Sequence, residues 1–141
     1  MGAPKYGLVG EAPQIRSLVV GVLDAAIRTV RVVKNGGATK AAYSKGTLVC
    51  RGSDGKYALL TGANLDTAVA AFPGQTFGVL DEDIVVEATS EETAQVVLKG
   101  EIARDMVILE ATAFEDLDAT VRAKVENLLT GSGLIPRAVK R

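Results

Sequence analysis

The chain has 141 residues and a formal net charge of −1; 48% of its residues are hydrophobic and 23% are charged, which is typical of one folded globular domain. It contains no histidine and one cysteine, Cys50, which excludes an internal disulfide and removes the most common general base and transition-metal ligand. Without a secretory signal or an apolar run of 18 residues, we expect a cytosolic product that does not enter membranes.

The two parts of the chain carry opposite charge. Residues 1–60 hold nine Lys and Arg against three Asp and Glu, whereas residues 61–141 hold seven against fourteen. A surface with a basic part and an acidic part suits head-to-tail contact between identical subunits. The alternative is that both sets of charges are scattered over a solvated surface.

Residues 1–17 are predicted to form an extended N-terminal arm. They include two prolines, three glycines and isolated apolar residues without a sustained period. Such a segment can order on a partner by adding a strand to an exposed sheet edge, with its apolar side chains as anchors. Those anchors would be Tyr6, Leu8, Val9 and Ile15. A terminus without a binding role is the alternative.

Residues 18–141 are predicted to form a single β-rich domain. Asp54-Gly55, between two strand-like runs, predicts a tight β-hairpin turn. Many short strands separated by glycines favour a small β-barrel or sandwich over a parallel α/β sheet. The predicted strands lie at 18–23, 27–33, 47–51, 56–60, 75–80, 84–86, 93–102, 106–109 and 134–135.

Two segments have apolar residues at helical spacing. Residues 64–71 are too few for a stable isolated helix, and we expect a connecting loop with one helical turn. Residues 113–130 predict a C-terminal amphipathic helix, so the fold class is mainly β (α+β). A capping box formed by Thr112 and Glu115 would begin this helix, and Gly131 would end it.

Residue patterns for catalysis are weak. Cys50 lies in a predicted strand and fits a small apolar filler. Asp81 and Asp83 share a face of an extended chain and could hold a hard cation such as Mg²⁺, which leaves a metal-dependent enzyme as one alternative. The structural alternative is that these acids end a strand and pair with a basic neighbour. We predict a protein that is not an enzyme and needs no cofactor.

Nucleic acid is not an expected partner. The chain has three Phe, three Tyr and no Trp, and its basic residues are dispersed, whereas nucleic-acid sites combine clustered Lys and Arg with stacking aromatic residues. Gly55-Lys56-Tyr57 also lacks the earlier glycine and the hydroxyl of a phosphate-binding loop.

Four short pieces of sequence occur in order between residues 43 and 137. They are Lys45-Gly46-Thr47-Leu48-Val49 leading to Gly55-Lys56-Tyr57; Gly78-Val79-Leu80 followed by Glu82-Asp83; Val96-Val97-Leu98 leading to Gly100-Glu101-Ile102; and a terminal helix closing in Gly133-Leu134-Ile135. Together, in this order and spacing, they resemble the lambda-type bacteriophage head decoration proteins.

This resemblance implies a function on a virus particle. Proteins similar to these cap icosahedral phage heads as trimers and cement the expanded shell against internal DNA pressure. Their N-terminal arm pairs with the major capsid protein, and here the matching stretch would lie within residues 2–20. We therefore expect a homotrimer on the outer capsid surface of the virion, present in the host cytoplasm during assembly. A monomeric β-barrel adaptor or ligand-binding module is the alternative function.

Overall fold

The computed structural model describes residues 18–19, 26–71 and 76–139. The described part contains ten strands and two α-helices, with 3₁₀ turns at Arg104–Met106 and Phe114–Asp116. The elements are β1 Ile27–Asn35, β2 Ala41–Tyr43, β3 Leu48–Arg51, β4 Tyr57–Leu59, α1 Leu65–Ala71, β5 Phe77–Leu80, β6 Ile84–Val86, β7 Ser90–Ala103, β8 Ile108–Leu109, β9 Thr112–Ala113, α2 Ala119–Gly131 and β10 Leu134–Arg137.

Five strands close into a barrel. Their order is β1-β4-β3-β5-β7, and β7 pairs back with β1. β1 lies parallel to β4, and the other four pairings are antiparallel. β10 adds in parallel to the C-terminal end of β7. The prediction of a mainly β fold with a C-terminal helix is confirmed, and the barrel is the alternative that the chain adopts.

Apolar side chains form two separate cores. Neighbouring residues of β3 illustrate the division, because Leu48 belongs to one core and Val49 to the other. This is the pattern expected of a strand with both faces buried. The inner core fills the barrel and consists of Val33, Val49, Tyr57, Leu80, Ile84, Val86, Ala94 and Val96. The outer core lies between the barrel wall and the helices and includes Leu48, Phe77, Val79, Val97, Val125, Leu128 and Leu129.

The predicted hairpin forms between β3 and β4. Gly55 has a φ of +80°, which glycine adopts at little cost, and the Asp54 side chain accepts a hydrogen bond from the Lys56 backbone N–H at 3.0 Å. Each strand predicted from residue 27 onward is present, with ends that differ by up to three residues, and β2 and β9 were not predicted. Of residues 106–109 only Ile108–Leu109 is a strand, because the 3₁₀ turn occupies residue 106. Most of the strand predicted at 18–23 lies outside the described residues.

The prediction of a loop with one turn at 64–71 is wrong, because α1 is a helix of seven residues. Leu65 and Ala68 are buried in the outer core, and Asp66 forms an ion pair with Lys124 of α2 at 2.7 Å. A helix this short is unstable alone, so these tertiary contacts explain why it forms.

The predicted start of the C-terminal helix at residue 113 is also wrong. Thr112 lies in β9 opposite Leu109, and Phe114 donates its N–H to the Val107 carbonyl, so the chain before residue 118 already has other partners. The helix begins at Ala119, with Asp118 as its N-cap. Its end at Gly131 agrees with the prediction, and Phe114 is still buried in the outer core.

Asp118→Ala should lower the free energy of unfolding by about 1 kcal/mol, because the N–H groups of Thr120 and Val121 both bond to its carboxylate. Thr112→Ala, at the N-cap position expected from sequence, should change it by less than about 0.5 kcal/mol. Urea unfolding followed by circular dichroism measures both. A loss at residue 112 that equals the loss at residue 118 would contradict the observed start of α2.

Gly46→Ala should be strongly destabilising, by about 3 kcal/mol or more. A Cβ at this residue would lie 1.8 Å from the Met106 carbonyl oxygen, and its φ is +98°. Gly36→Ala is the matched control, because a Cβ there has nothing within 4 Å, and it should stay within about 0.5 kcal/mol of the parent chain. Equal unfolding midpoints for the two variants would contradict the close contact between the Gly46 backbone and the Met106 carbonyl.

Candidate functional site

The candidate functional site is the end of the barrel to which Leu18 and Val19 attach. The four arm residues predicted to contact a partner, Tyr6, Leu8, Val9 and Ile15, lie outside the described residues. The structure instead identifies where the chain that follows them joins the domain.

Leu18 and Val19 attach to the C-terminal end of β7. Leu18 is fully buried, and its carbonyl accepts a hydrogen bond from the Ala103 N–H at 2.7 Å. Val19 forms an antiparallel bridge with Ile102, and both side chains belong to the outer core. These two residues are therefore packed on the barrel end beside Ala103.

The acidic run after β5 has a structural role. Asp81 has a side chain only 3% exposed, and its Oδ2 accepts hydrogen bonds from Nε and Nη2 of Arg28 at 3.0 and 2.6 Å. Charge-assisted hydrogen bonds of this kind are stronger than neutral ones. The pairing with a basic neighbour is the structural alternative considered from the sequence.

The other two acids of the run bind backbone donors. Glu82 accepts a hydrogen bond from the Gln95 N–H, and Asp83 accepts one from the Lys45 N–H, both at 2.7 Å. The three carboxylates therefore have three different partners and do not converge on one point. Within residues 18–19, 26–71 and 76–139, no group of three or more His, Cys, Asp or Glu side chains could hold a metal ion.

Cys50 is buried in β3 and belongs to the outer core. Burial raises the pKa of its thiol, because the thiolate would lose hydration. At neutral pH the group is a neutral thiol that packs as a small apolar side chain, in agreement with the filler role expected from the sequence.

An open concavity of about 460 Å³ lies where β1 ends and β7 begins. Its lining includes Asn35, whose amide nitrogen donates to the Thr39 and Val86 carbonyls and whose Oδ1 accepts the Gly37 N–H. These bonds satisfy the amide and hold the adjacent loops together. Its full lining is Lys34, Asn35, Gly36, Thr89, Ser90 and Glu91.

A second, internal void lies between the barrel and α2 and has no space for a water molecule. Apolar side chains alone surround it, so it is a gap in the outer core that is too small for an organic ligand. Its lining residues are Leu48, Leu60, Phe77, Val125, Leu128 and Leu129.

The charge asymmetry of the sequence is partly neutralised within the fold. Arg28 pairs with Asp81 and Lys56 with Glu91 at 2.6 and 2.7 Å, and each pair joins a base from the first 60 residues to an acid from the later part. Arg28 and Lys56 therefore already have acidic partners within their own subunit.

Some large apolar side chains of the described part are exposed. Ile27 and Ile135 lie on the two strands that flank the C-terminal half of β7, near the bridge between Val19 and Ile102. The sequence analysis treated both only as strand residues, because strand periodicity does not show which face of a sheet is left uncovered. The exposed set is Ile27, Val30, Val69, Val85 and Ile135.

No protein-family model matches the chain, and no curated protein matches it. In the described part, no helix has both the length and the apolar character needed to cross a membrane.

Asp81→Ala should lower the free energy of unfolding by about 2 kcal/mol, because Arg28 loses two charge-assisted hydrogen bonds to a buried acceptor. Asp66→Ala removes an equally short ion pair whose carboxylate is 81% exposed, and should cost less than about 1 kcal/mol. Thermal unfolding with and without millimolar Mg²⁺ measures both effects. Equal losses would contradict the structural role of Asp81, and a midpoint that rises with Mg²⁺ only when Asp81 is present would favour the metal-site alternative.

Proposed function

We propose that this chain decorates the outside of an expanded icosahedral phage head as a homotrimer and stabilises the shell. One observation carries the proposal: the four pieces of sequence that resemble decoration proteins are neighbours in the fold. The first piece supplies β3 and the start of β4, the second β5, the third the C-terminal half of β7, and the last β10. The sheet order β4-β3-β5-β7-β10 has no other strand between them.

Hydrogen bonds join these pieces to one another. Gly46 donates its N–H to the Leu80 carbonyl at 2.8 Å, which links the first piece to the second, and Gly100 donates to Gly133 at 2.9 Å, which links the third to the fourth. The two acids of the second piece bind backbone N–H groups of Lys45 and Gln95. The shared residues are thus ones that the fold needs, which supports a common fold with the decoration proteins.

A cementing protein requires a rigid body and a means of attachment. The closed barrel and its two cores provide the body, because barrel closure leaves few unpaired strand edges. The N-terminal arm provides the attachment in this proposal, by adding a strand to the capsid protein and burying Tyr6, Leu8, Val9 and Ile15. A body linked to several capsid subunits resists their separation when DNA pressure pushes the shell outward.

Trimerisation would convert a weak arm contact into firm attachment. After the first arm binds, the other two bind at a high effective concentration set by the short distance to their sites, so the three contacts together exceed any one of them. No chemical step is required, and buried Cys50 and the paired Asp81 are consistent with a role that needs none.

Removal of residues 2–17 should abolish co-sedimentation with undecorated expanded heads of lambda-type phages, because the arm anchors are lost. The folded trimer should persist, since Leu18 and Val19 of the outer core are retained. Sedimentation, light scattering and thermal unfolding together test this. Attachment at unchanged occupancy would overturn the proposal.

A matched pair of full-length variants separates anchor loss from shortening of the chain. Tyr6→Ser with Ile15→Ser removes two apolar anchors and should weaken attachment, whereas Gln14→Ser changes a polar residue of the same arm and should not. Unexpanded heads serve as a further control, because decoration is expected only on the expanded shell.

A second candidate function is a monomeric β-barrel binding module, favoured by the open concavity between β1 and β7. Light scattering separates the two functions. A monomer of 14.7 kDa that does not sediment with expanded heads would favour the binding module.

A further inference from the structure

The Asn35 side chain connects the end of β1 to the two-stranded β2–β6 sheet. Its amide nitrogen donates to the carbonyl oxygens of Thr39 at 2.8 Å, Val86 at 3.1 Å and Glu87 at 3.3 Å. Thr39 lies in the loop before β2, whereas Val86 is the last residue of β6. Val86 also belongs to the inner core. This one amide therefore links three segments of the chain at one end of the barrel.

The residue after Asn35 is glycine, and this pair is chemically labile. The backbone nitrogen of Gly36 can attack the side-chain carbon Cγ of Asn35 and close a succinimide ring. Glycine has no Cβ to obstruct the attack, and nothing lies within 4 Å of the place where a Cβ of Gly36 would be. Gly36 is also exposed, so solvent can take the proton from its N–H group.

The fold opposes this reaction at the Asn35 side chain. Asn35 is only 6% exposed, and its Oδ1 accepts the Gly37 N–H at 2.9 Å, so both polar atoms of the amide are held. Ring closure makes Cγ tetrahedral and expels the amide nitrogen, which must leave its carbonyl acceptors. Each hydrogen bond lost before the transition state raises the barrier. The reaction is therefore slow while the amide stays bonded.

We propose that Asn35-Gly36 is a spontaneous deamidation site, unreactive in the folded domain, that reacts when the β2–β6 sheet separates from the end of β1. Local opening of this kind occurs in folded proteins without global unfolding. A bond forms between the Gly36 nitrogen and Asn35 Cγ while the Gly36 N–H proton passes to water or hydroxide. The bond from Cγ to the amide nitrogen breaks, and that nitrogen takes a proton from water and leaves as ammonia. Water then opens the ring at either carbonyl and leaves aspartate or isoaspartate at residue 35.

Neither product can restore the bonds that Asn35 makes. A carboxylate has no N–H to donate, and its charge would face the carbonyl oxygens of Thr39, Val86 and Glu87. A buried charge without a partner is strongly unfavourable. Isoaspartate places an extra methylene in the backbone before Gly36 and displaces the loop that leads to β2. Deamidation thus makes a transient opening of this end of the barrel permanent, whether or not the chain binds a capsid.

The other asparagines of the chain provide an internal comparison. Asn64 and Asn127 are both exposed, and a leucine follows each of them. The leucine side chain hinders the attacking backbone nitrogen. Exposure alone would make these two residues react before buried Asn35, whereas the following residue makes Asn35 the most reactive of the three. The order of reaction therefore shows whether Asn35 is held by the fold or free to react.

The test follows deamidation in the full-length chain with and without denaturing guanidinium chloride, at the same pH and temperature. Peptide mass spectrometry assigns the gain in mass to each asparagine. In denaturant, Asn35 should react faster than Asn64 and Asn127. In the folded chain its rate should be lower by about tenfold or more, because the hydrogen bonds of the amide must break first. Equal rates at Asn35 in the two conditions, or no excess over Asn64 and Asn127 in denaturant, would overturn the proposal.

Gly36→Ala is the matched control for the chemistry, because the structure has open space for its Cβ. In denaturant, this variant should deamidate at residue 35 as slowly as at Asn64, and that measurement does not require the variant to fold. After dilution from denaturant, the refolded fraction of the parent chain should fall in step with deamidation at Asn35. A refolded fraction that stays constant as Asn35 is lost would contradict the permanent opening.

Asn35→Asp imitates one product of the reaction. It should lower the midpoint of thermal unfolding, because the three donated hydrogen bonds are replaced by a buried carboxylate. Asn127→Asp makes the same chemical change at an exposed residue and should lower the midpoint much less. Equal midpoints for the two variants would show that the Asn35 amide does not hold the β2–β6 sheet, and the inference would fail.

Discussion

The antiparallel pairing of β1 with β7 is the interaction on which the rest of the structure depends. It runs along the whole of β1. It closes the barrel because β1 and β7 are the first and last of the five strands in sheet order, and β7 pairs with β5 along its other edge. Closure places Val33 against Ala94 and Val96 in the inner core. Without this pairing the inner core would be exposed to water, and both strands would present long unpaired edges.

The length of β7 gives the two ends of the molecule different roles. Its N-terminal part lines the barrel. Its last residues pair with β10 along one edge and bridge to Val19 along the other. A β-bulge at Leu98, between the pairs Arg28–Val97 and Ile27–Lys99, separates these parts. One continuous strand therefore joins the barrel to β10 and to Val19.

The acidic run shows how an ambiguous local pattern is resolved by the fold. Three carboxylates in sequence suit either a cation site or a set of hydrogen-bond acceptors. Asp81 binds Arg28, which is 53 residues away, and Glu82 and Asp83 bind backbone N–H groups of other segments. The bonds between Arg28 and Asp81 are partly buried, where a charged group needs a partner, whereas the bonds of Glu82 and Asp83 lie at the surface. The proposed role in capsid stabilisation relies on this rigidity rather than on chemistry.

The sequence by itself determined the features that depend on near neighbours. Alternation predicted β1 and β7, and short apolar runs predicted β3, β5 and β6. Asp54-Gly55 predicted the hairpin, and Gly131 predicted the end of α2. The tertiary structure alone decided the start of α2, the existence of α1, the partners of Asp81 and the exposure of Ile27 and Ile135. These features depend on residues far apart in the chain: Phe114 is held by Val107 and the outer core, Leu65 packs against distant strands, and the face shared by Ile27 and Ile135 exists only after β1, β7 and β10 have paired. Local periodicity contains no information on such pairings, which explains why most strands were predictable and the exposure of Ile27 and Ile135 was not.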